Sequence, residues 1–296
     1  MNAISLSGVS KSYGSVLAVD VLDIAVEDGR TVALLGPNGA GKSTTINMML
    51  GLLRPTSGTI QIFGGTPAQA VSRGEIGAML QSGLLIPELT VRELVEFVRR
   101  LYPKPLDRDE IFEMADLTDL AGRRAGRLSE GQAQRVRFAL AIAGAPRLLV
   151  LDEPTAAMDV ESRLRFWQSM RAYAALGRTV LFATHYLEEA DENSDRVIVI
   201  ARGHVVADGT AAEIKAGVST QTVRFALGDQ PTAGLDTLPG VNGVEIRSGT
   251  VTLRTTDSDA TVAALFRGTP LDVHDLRISG ADLEDAFLAL TTPVEA

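Results

Sequence analysis

Nine residues, Gly36-Pro-Asn-Gly-Ala-Gly-Lys-Ser-Thr44, constrain this chain more than any other stretch. They lie between an apolar, strand-like run, Thr31-Val-Ala-Leu-Leu35, and a helix-like run from Thr44 to Leu52. That is the strand–loop–helix context in which G-x-x-x-x-G-K-[ST] works as a phosphate-binding loop. Gly36, Gly39 and Gly41, with Pro37, Asn38 and Ala40 between them, let the backbone turn so that successive N–H groups point inward. An anion held there also faces the positive end of the following helix. Lys42 is placed to reach the β- and γ-phosphates of a nucleotide. Ser43 is placed to hold Mg²⁺ through its hydroxyl, since that ion prefers oxygen ligands and retains several waters. Thr44 completes the loop.

The length of 296 residues predicts about two domains. With a formal net charge of −9 and no basic tail, the chain is not expected to carry a broad nucleic-acid footprint. There is no cysteine, which excludes a disulfide framework and a thiolate metal site. The opening residues, MNAISLSGVSKSYG, lack a basic region followed by an apolar core, so no secretory signal is expected. No apolar run approaches the ~18 residues of a membrane-spanning helix. The expectation is a soluble, cytoplasmic chain whose work on any membrane passes through a partner.

Residues 2–9 and 16–26 alternate as half-buried strands do, with a turn at Lys11-Ser-Tyr-Gly14. Tyr13, just upstream of the phosphate loop, is either a purine-stacking aromatic or plain packing. Thr59 to Phe63 returns as a strand, and Ile76 to Leu80 is another, with Gln81 at its carboxyl end, where side chains of an α/β sheet face the ligand crevice. Thr90-Val-Arg-Glu93 is a capping box, after which Leu94, Phe97, Val98 and Leu101 fall on one helical face. With a second helical pattern at Asp107 to Asp116, residues 88 to about 145 read as a helical insertion. Leu128-Ser-Glu-Gly-Gln132 opens a long helix. Ser129 and Gln132 make a capping box, or the same helix start exposes unpaired N–H groups beside Gly131 that hold a phosphate.

Leu148-Leu-Val-Leu151 is an apolar strand ending in Asp152 and Glu153. Two carboxylates closing a buried strand are unfavourable unless they meet a cation or a polarised water. With the phosphate loop upstream, Asp152 becomes the Mg²⁺ partner and Glu153 the acceptor of a proton from the attacking water. Val160 to Leu176 is an amphipathic helix, and the strand Thr179 to Ala183 ends in Thr184-His185, which puts His185 toward the same crevice. Residues 196–200 and 204–207 read as a strand pair, and Thr210 caps a short helix. After Gly217, stretches 222–228, 244–256 and 271–278 alternate like strands, while 259–267 and 282–290 read as helices, a small α+β unit without a catalytic pattern.

In this order, the motifs resemble the nucleotide-binding subunit of an ABC transporter over residues 1 to about 215. Tyr13 matches the adenine-stacking loop, Gly36 to Thr44 the Walker A loop, Gln81 the Q-loop and Leu128 to Gln132 the signature. Leu148 to Glu153 matches Walker B, Asp159 the D-loop and His185 the switch histidine. The resemblance implies an α/β fold, a P-loop NTPase sheet with a helical insertion over 1–217, and a small accessory or dimerisation domain over 218–296. It implies ATP hydrolysis with ATP and Mg²⁺. Glu153, His185 and Gln81 then serve catalysis, Ser43, Gln81 and Asp152 the metal, and Tyr13, the loop, Ser129, Gly131, Gln132 and Asp159 the nucleotide. It implies two such subunits, a homodimer or a pair with a related ATPase, closing head to tail around ATP beneath a transmembrane permease at the inner face of the cytoplasmic membrane. Two departures stand out: Glu130 replaces the usual signature glycine, and the D-loop reads Ala156-Ala-Met-Asp159. The C-terminal Leu276-Arg-Ile278 and Asp282 to Leu288 are similar to the tail of exporters for drugs, antibiotics and polysaccharides. An importer ATPase and a non-transport regulatory ATPase are the alternatives.

Overall fold

The computed structural model describes residues 1–81, 83–156, 158–217, 221–227, 234–268, 272–280 and 282–291. They form two compact units, Met1–Asp208 and Gly209–Ala296. The first begins with three strands, β1 (Asn2–Tyr13), β2 (Val16–Glu27) and β3 (Thr31–Leu35), then α1 (Lys42–Met49), β4 (Ser57–Ile62), α2 (Pro67–Ser72) and β5 (Ile76–Met79). The helical segment holds α3 (Val91–Arg99), α4 (Arg108–Met114) and α5 (Glu130–Ile142). The chain then returns through β6 (Leu148–Asp152), α6 (Val160–Ala174), β7 (Thr179–Ala183), α7 (Leu187–Asn193), β8 (Arg196–Ala201) and β9 (His204–Gly209).

Two sheets result. An antiparallel one has the order β2-β1-β4, and a six-stranded one has the order β5-β6-β7-β3-β8-β9, with β5 through β8 parallel. Every residue of β3, β6 and β7 is buried. Their continuous Val, Leu and Ala runs are what a parallel strand covered on both faces needs. β1 continues to Tyr13, past the turn that the sequence suggests, and pairs Tyr13 with Val16.

Helices α5 and α6 are fixed to β7 by edge-on aromatic contacts: Phe138 to Phe166 at 5.4 Å, Phe166 to Trp167 at 5.7 Å and Trp167 to Phe182 at 4.8 Å between ring centroids. Such T-shaped pairs contribute roughly 0.5–1.5 kcal/mol each beyond their burial. The capping boxes at Thr90/Glu93, Ser129/Gln132 and Thr210/Glu213 form as the sequence predicts, and further ones start α2 and α4. The face of α3 differs from expectation. Val91, Leu94 and Val95 are the buried residues, whereas Phe97 and Leu101 are 55% and 67% exposed. The 3.6-residue period fits both stripes, and packing against α5 and α4 selects the first.

The second unit contains α8 (Ala211–Ala216), β10 (Gln221–Ala226), β11 (Val241–Arg247), β12 (Thr250–Thr255), α9 (Ser258–Gly268), β13 (His274–Gly280) and α10 (Leu283–Thr291). Helix α8, which the sequence analysis assigned to the first domain, packs on α10 in this unit. The alternating stretch 244–256 is two strands, because Ser248 takes a φ of 48° and the chain reverses at Ser248-Gly249. The antiparallel sheet β11-β12-β10-β13 buries Val223, Phe225, Val251 and Leu253 with Leu265 of α9. Leu283 and Ala286 of α10 are also buried, and Arg254 bridges to Asp285 at 3.4 Å.

Candidate nucleotide site

The loop between β3 and α1 wraps an open pocket of about 300 Å³, lined by Ala18, Asn38 to Thr44, Gln81 and Glu153. Gly41 stands at the N-cap of α1 with φ 106°, and a side chain there would come within 2.6 Å of the Ala18 carbonyl oxygen. Only glycine meets both demands. The Lys42 ammonium is buried and donates to the carbonyls of Gly36 at 2.6 Å and Pro37 at 3.3 Å. Burial lowers its pKa from the usual lysine value, while the nearby Glu153 and Asp152 carboxylates oppose that shift.

Strand register brings the acidic residues to this pocket. Leu151 of β6 lies opposite Met79 of β5, which sets Gln81 beyond the strand end, and Asp152 lies opposite Ala183 of β7. Glu153 follows with a left-handed φ of 52°, its N–H donating to the Ala183 carbonyl at 2.9 Å. Thr184 and His185 follow on β7, and His185 Nδ1 is 2.6 Å from Glu153 Oε2. A non-glycine residue held at positive φ is strained, and here the surrounding bonds over-determine it. The strain turns Glu153 away from the strand direction and into the pocket.

Asp152 is 6% exposed. Burial raises its pKa above the ordinary carboxylate value, against the opposing effects of a hydrogen bond from the Ser43 hydroxyl and the charge of Lys42. Its Oδ1 is buried without a hydrogen-bond partner. A buried, unpartnered carboxylate oxygen beside a serine hydroxyl fits a small hard cation such as Mg²⁺. Among the described residues no three acidic or histidine side chains form a metal cage, so such an ion takes its remaining ligands from water and phosphate oxygens.

The sequence and the fold have counterparts among known proteins. The model of the family described as "ABC transporter" matches residues 19–156. The daunorubicin/doxorubicin resistance ATP-binding protein DrrA of Streptomyces peucetius is 37% identical across 98% of this chain and 92% of its own. The chain belongs to the ABC transporter ATPases. The Nod factor export ATP-binding protein I of Rhizobium johnstonii is 35% identical over 98% of this chain and 94% of its own. A dimeric post-hydrolysis structure of the ATP-binding cassette MJ0796, bound to ADP and Pi, superposes with a TM-score of 0.64 at 28% identity, covering 70% of this chain and 98% of that one. As a member of this family the chain is an ATP-binding, ATP-hydrolysing subunit.

Several sequence-predicted residues of this ABC ATPase do not line the pocket. Tyr13 is half exposed at the end of β1, with Lys11 Nζ 5.4 Å from its ring centroid. Ser129, Gly131 and Gln132 form the first turn of α5, where the Ser129 hydroxyl accepts from the Gln132 N–H at 3.3 Å, and Gln132 Oε1 accepts from the Ser129 N–H at 3.0 Å and from Arg123 at 3.1 Å. Asp159 caps α6, accepting from the Ser162 N–H at 2.8 Å and hydroxyl at 2.9 Å, which lowers its pKa. The ABC sequence motifs therefore divide within one chain into a pocket set and a second set on α5 and α6.

Sequence reasoning passed over Glu189. Only 4% exposed on α7, it accepts from the Thr155 hydroxyl at 2.5 Å and the Thr184 hydroxyl at 2.8 Å, with Arg163 Nε 3.7 Å away. Thr155 lies two residues after Glu153, and Thr184 precedes His185, so one carboxylate ties together the two loops that carry the pair. Within the acidic run Leu187-Glu-Glu-Ala-Asp-Glu-Asn193 it looks like any solvated charge. No local spacing marks it: Asn193, four residues on, donates only to the Glu189 backbone carbonyl at 3.0 Å, a bond that does not depend on the side chain at 189.

Proposed function

We propose that this subunit hydrolyses ATP with Glu153 as general base and powers a separate membrane permease that exports a drug-like, lipid or polysaccharide substrate. The observation that carries the chemical part is the Glu153 to His185 contact at 2.6 Å, opposite the Lys42 loop across one pocket. Backbone N–H groups of residues 38–44 hold the phosphates, and Lys42 turns from the Gly36 and Pro37 carbonyls to the terminal phosphate oxygens. Ser43 and Asp152, with Gln81 beside them, would hold Mg²⁺, which when bound neutralises charge building on the β- and γ-phosphate oxygens. Glu153 accepts the proton of the attacking water, and His185 orients the carboxylate through Nδ1.

Ser129, Gly131, Gln132 and Asp159 serve the nucleotide of a second copy. The ordering of the motifs into two sets supports this reading, as does the dimeric state of MJ0796. Loss of the γ-phosphate then removes the differential affinity that holds the pair closed. Exposed Leu84 and Ile86, three and five residues beyond Gln81, together with exposed Phe97 of α3 and Leu101 just past its end, suit a short apolar helix of the permease. Export is supported by the two relatives, named for drug resistance and Nod factor export. Mixing a Ser129→Ala chain with a Lys42→Ala chain tests the shared site. Each variant alone is inactive, and the mixture regains part of the wild-type rate because one composite site is intact. Mixtures as inactive as the single variants contradict a site shared between copies.

A further inference from the structure

Glu130 places a carboxylate in the first turn of α5, beside the residues assigned to phosphate. Its own hydrogen bonds give it a different task. Glu130 Oε1 lies 2.7 Å from Arg137 Nη1, two helical turns along α5, and Arg137 Nε donates to the Gly83 carbonyl at 2.7 Å. Seven residues correspond to roughly 10 Å of rise, so both side chains must extend along one strip of the helix to meet. The Arg137 side chain is 17% exposed and that of Glu130 52%, so the guanidinium is held inward and the carboxylate reaches to it from the helix end. Gly83 is two residues beyond Gln81, and its N–H is bonded to the Leu80 carbonyl at 3.1 Å, which connects it directly to the end of β5.

We infer that Glu130 and Arg137 are positioning residues that latch the phosphate-facing end of α5 to the segment carrying Gln81, so that the two nucleotide-contacting surfaces of one chain are held in fixed relation. The inference rests on the proposed roles of Ser129 and Gln81. Its consequence follows from populations: a chain whose two surfaces are already aligned closes around ATP without first selecting that arrangement, whereas an unlatched chain binds with affinity reduced by the fraction aligned. The latch therefore acts on half-saturation and leaves the maximal rate nearly unchanged, because saturating ATP selects the aligned form in either case. A carboxylate that merely repelled phosphate gives the opposite sign, since its removal tightens ATP binding.

Two measurements on the full chain test this. The protein contains no cysteine, so Leu84→Cys, at a position 94% exposed, gives a unique site for a nitroxide spin label. Without nucleotide, Glu130→Gln and Arg137→Lys should each increase the label's mobility, and the double variant should add nothing to the larger single effect. In unlabelled chains, Glu130→Gln should raise half-saturating ATP by about three- to fivefold, the range of a partly exposed ion pair, with the maximal rate within about twofold. Glu130→Asp keeps the charge but is too short to span two turns, and it should match Glu130→Gln. Circular dichroism melting confirms that each variant is folded. Unchanged mobility in both single variants, additive effects in the double variant, or a fall in half-saturating ATP for Glu130→Gln each overturns the latch. The mobility assay uses no nucleotide, so loss of hydrolysis with the mobility pattern intact counts against the ATPase roles and leaves the latch standing.

Discussion

Replacing Glu189 by alanine removes the only side chain that bonds both Thr155 and Thr184 among the described residues. Thr155 is 1% and Thr184 0% exposed, so both hydroxyl protons lose a buried acceptor, while the Thr184 oxygen keeps the Tyr186 N–H at 3.0 Å. A buried hydroxyl without its acceptor costs about 1–3 kcal/mol, which gives roughly 2–6 kcal/mol for the pair, a large part of an ordinary domain's stability. For a unit the size of Met1–Asp208, each kcal/mol moves the melting midpoint by about 2–4 °C, so Glu189→Ala should lower it by roughly 4–24 °C. Glu189→Gln keeps the shape, and threonine hydroxyls can accept from its amide as well as donate to its oxygen. That variant should lose no more than about 1 kcal/mol. At a temperature where both variants are folded, loosening of the Glu153 to His185 geometry should reduce turnover by about 10- to 100-fold in Glu189→Ala, with ATP affinity nearly unchanged. Differential scanning calorimetry reads the first effect, and steady-state ATP hydrolysis beside an equilibrium nucleotide-binding assay reads the second. If Glu189→Ala melts within about 2 °C of the parent, or if glutamine is as damaging as alanine, the carboxylate does not brace the two loops.

Other consequences are accessible to simple assays. Asp152→Asn should abolish turnover yet raise the melting midpoint of the nucleotide-free chain by about 2–4 °C at pH 7, because it removes a buried charge whose Oδ1 is unpartnered. Burial raises the folded-state pKa of Asp152 above the ordinary carboxylate value, so the wild type loses stability as the pH rises through the acidic range. The gap between variant and wild type should close in acid, and a pH-independent gap contradicts the assignment. Removing residues 210–296 keeps β9 whole and should leave ATP binding intact while weakening subunit association or coupling to the permease. Loss of ATP binding in a truncated chain that remains folded by circular dichroism would place part of the second unit in the nucleotide site. Crosslinks from Leu84→Cys in membranes should reach a membrane protein, and capture of soluble proteins alone would count against permease docking at that surface.

The phosphate loop was legible because its sequence is its mechanism: glycine spacing fixes backbone shape, and Lys42 and Ser43 have few other uses there. The strand ends were legible for a related reason. Apolar runs that stop abruptly at Asp152, Glu153 and Thr184-His185 mark the carboxyl edge of a parallel sheet, where register alone brings the groups together. Glu189 was hidden because helix periodicity cannot separate a buried carboxylate from its solvated neighbours Glu188 and Glu192, and its partners are distant in sequence. The orientation of α3 was hidden by a symmetric pattern, since both Val91/Leu94/Val95 and Phe97/Leu101 satisfy helical spacing. The hairpin within 244–256 was missed because Ser248-Gly249 interrupts neither the alternation nor the polarity on which a strand is judged.

Whether the Glu153 carboxylate takes the proton of the attacking water is tested most directly by Glu153→Gln. Glutamine is nearly isosteric and can still bond His185 Nδ1, whose distance to Glu153 Oε2 is 2.6 Å, so the pocket and the Lys42 loop should bind ATP as before. The amide cannot serve as a base, and steady-state hydrolysis should fall by about 10²- to 10⁴-fold. Undiminished ATP binding together with that loss of turnover is the predicted result. Hydrolysis at the wild-type rate in the purified variant would remove Glu153 from the chemistry and contradict the account.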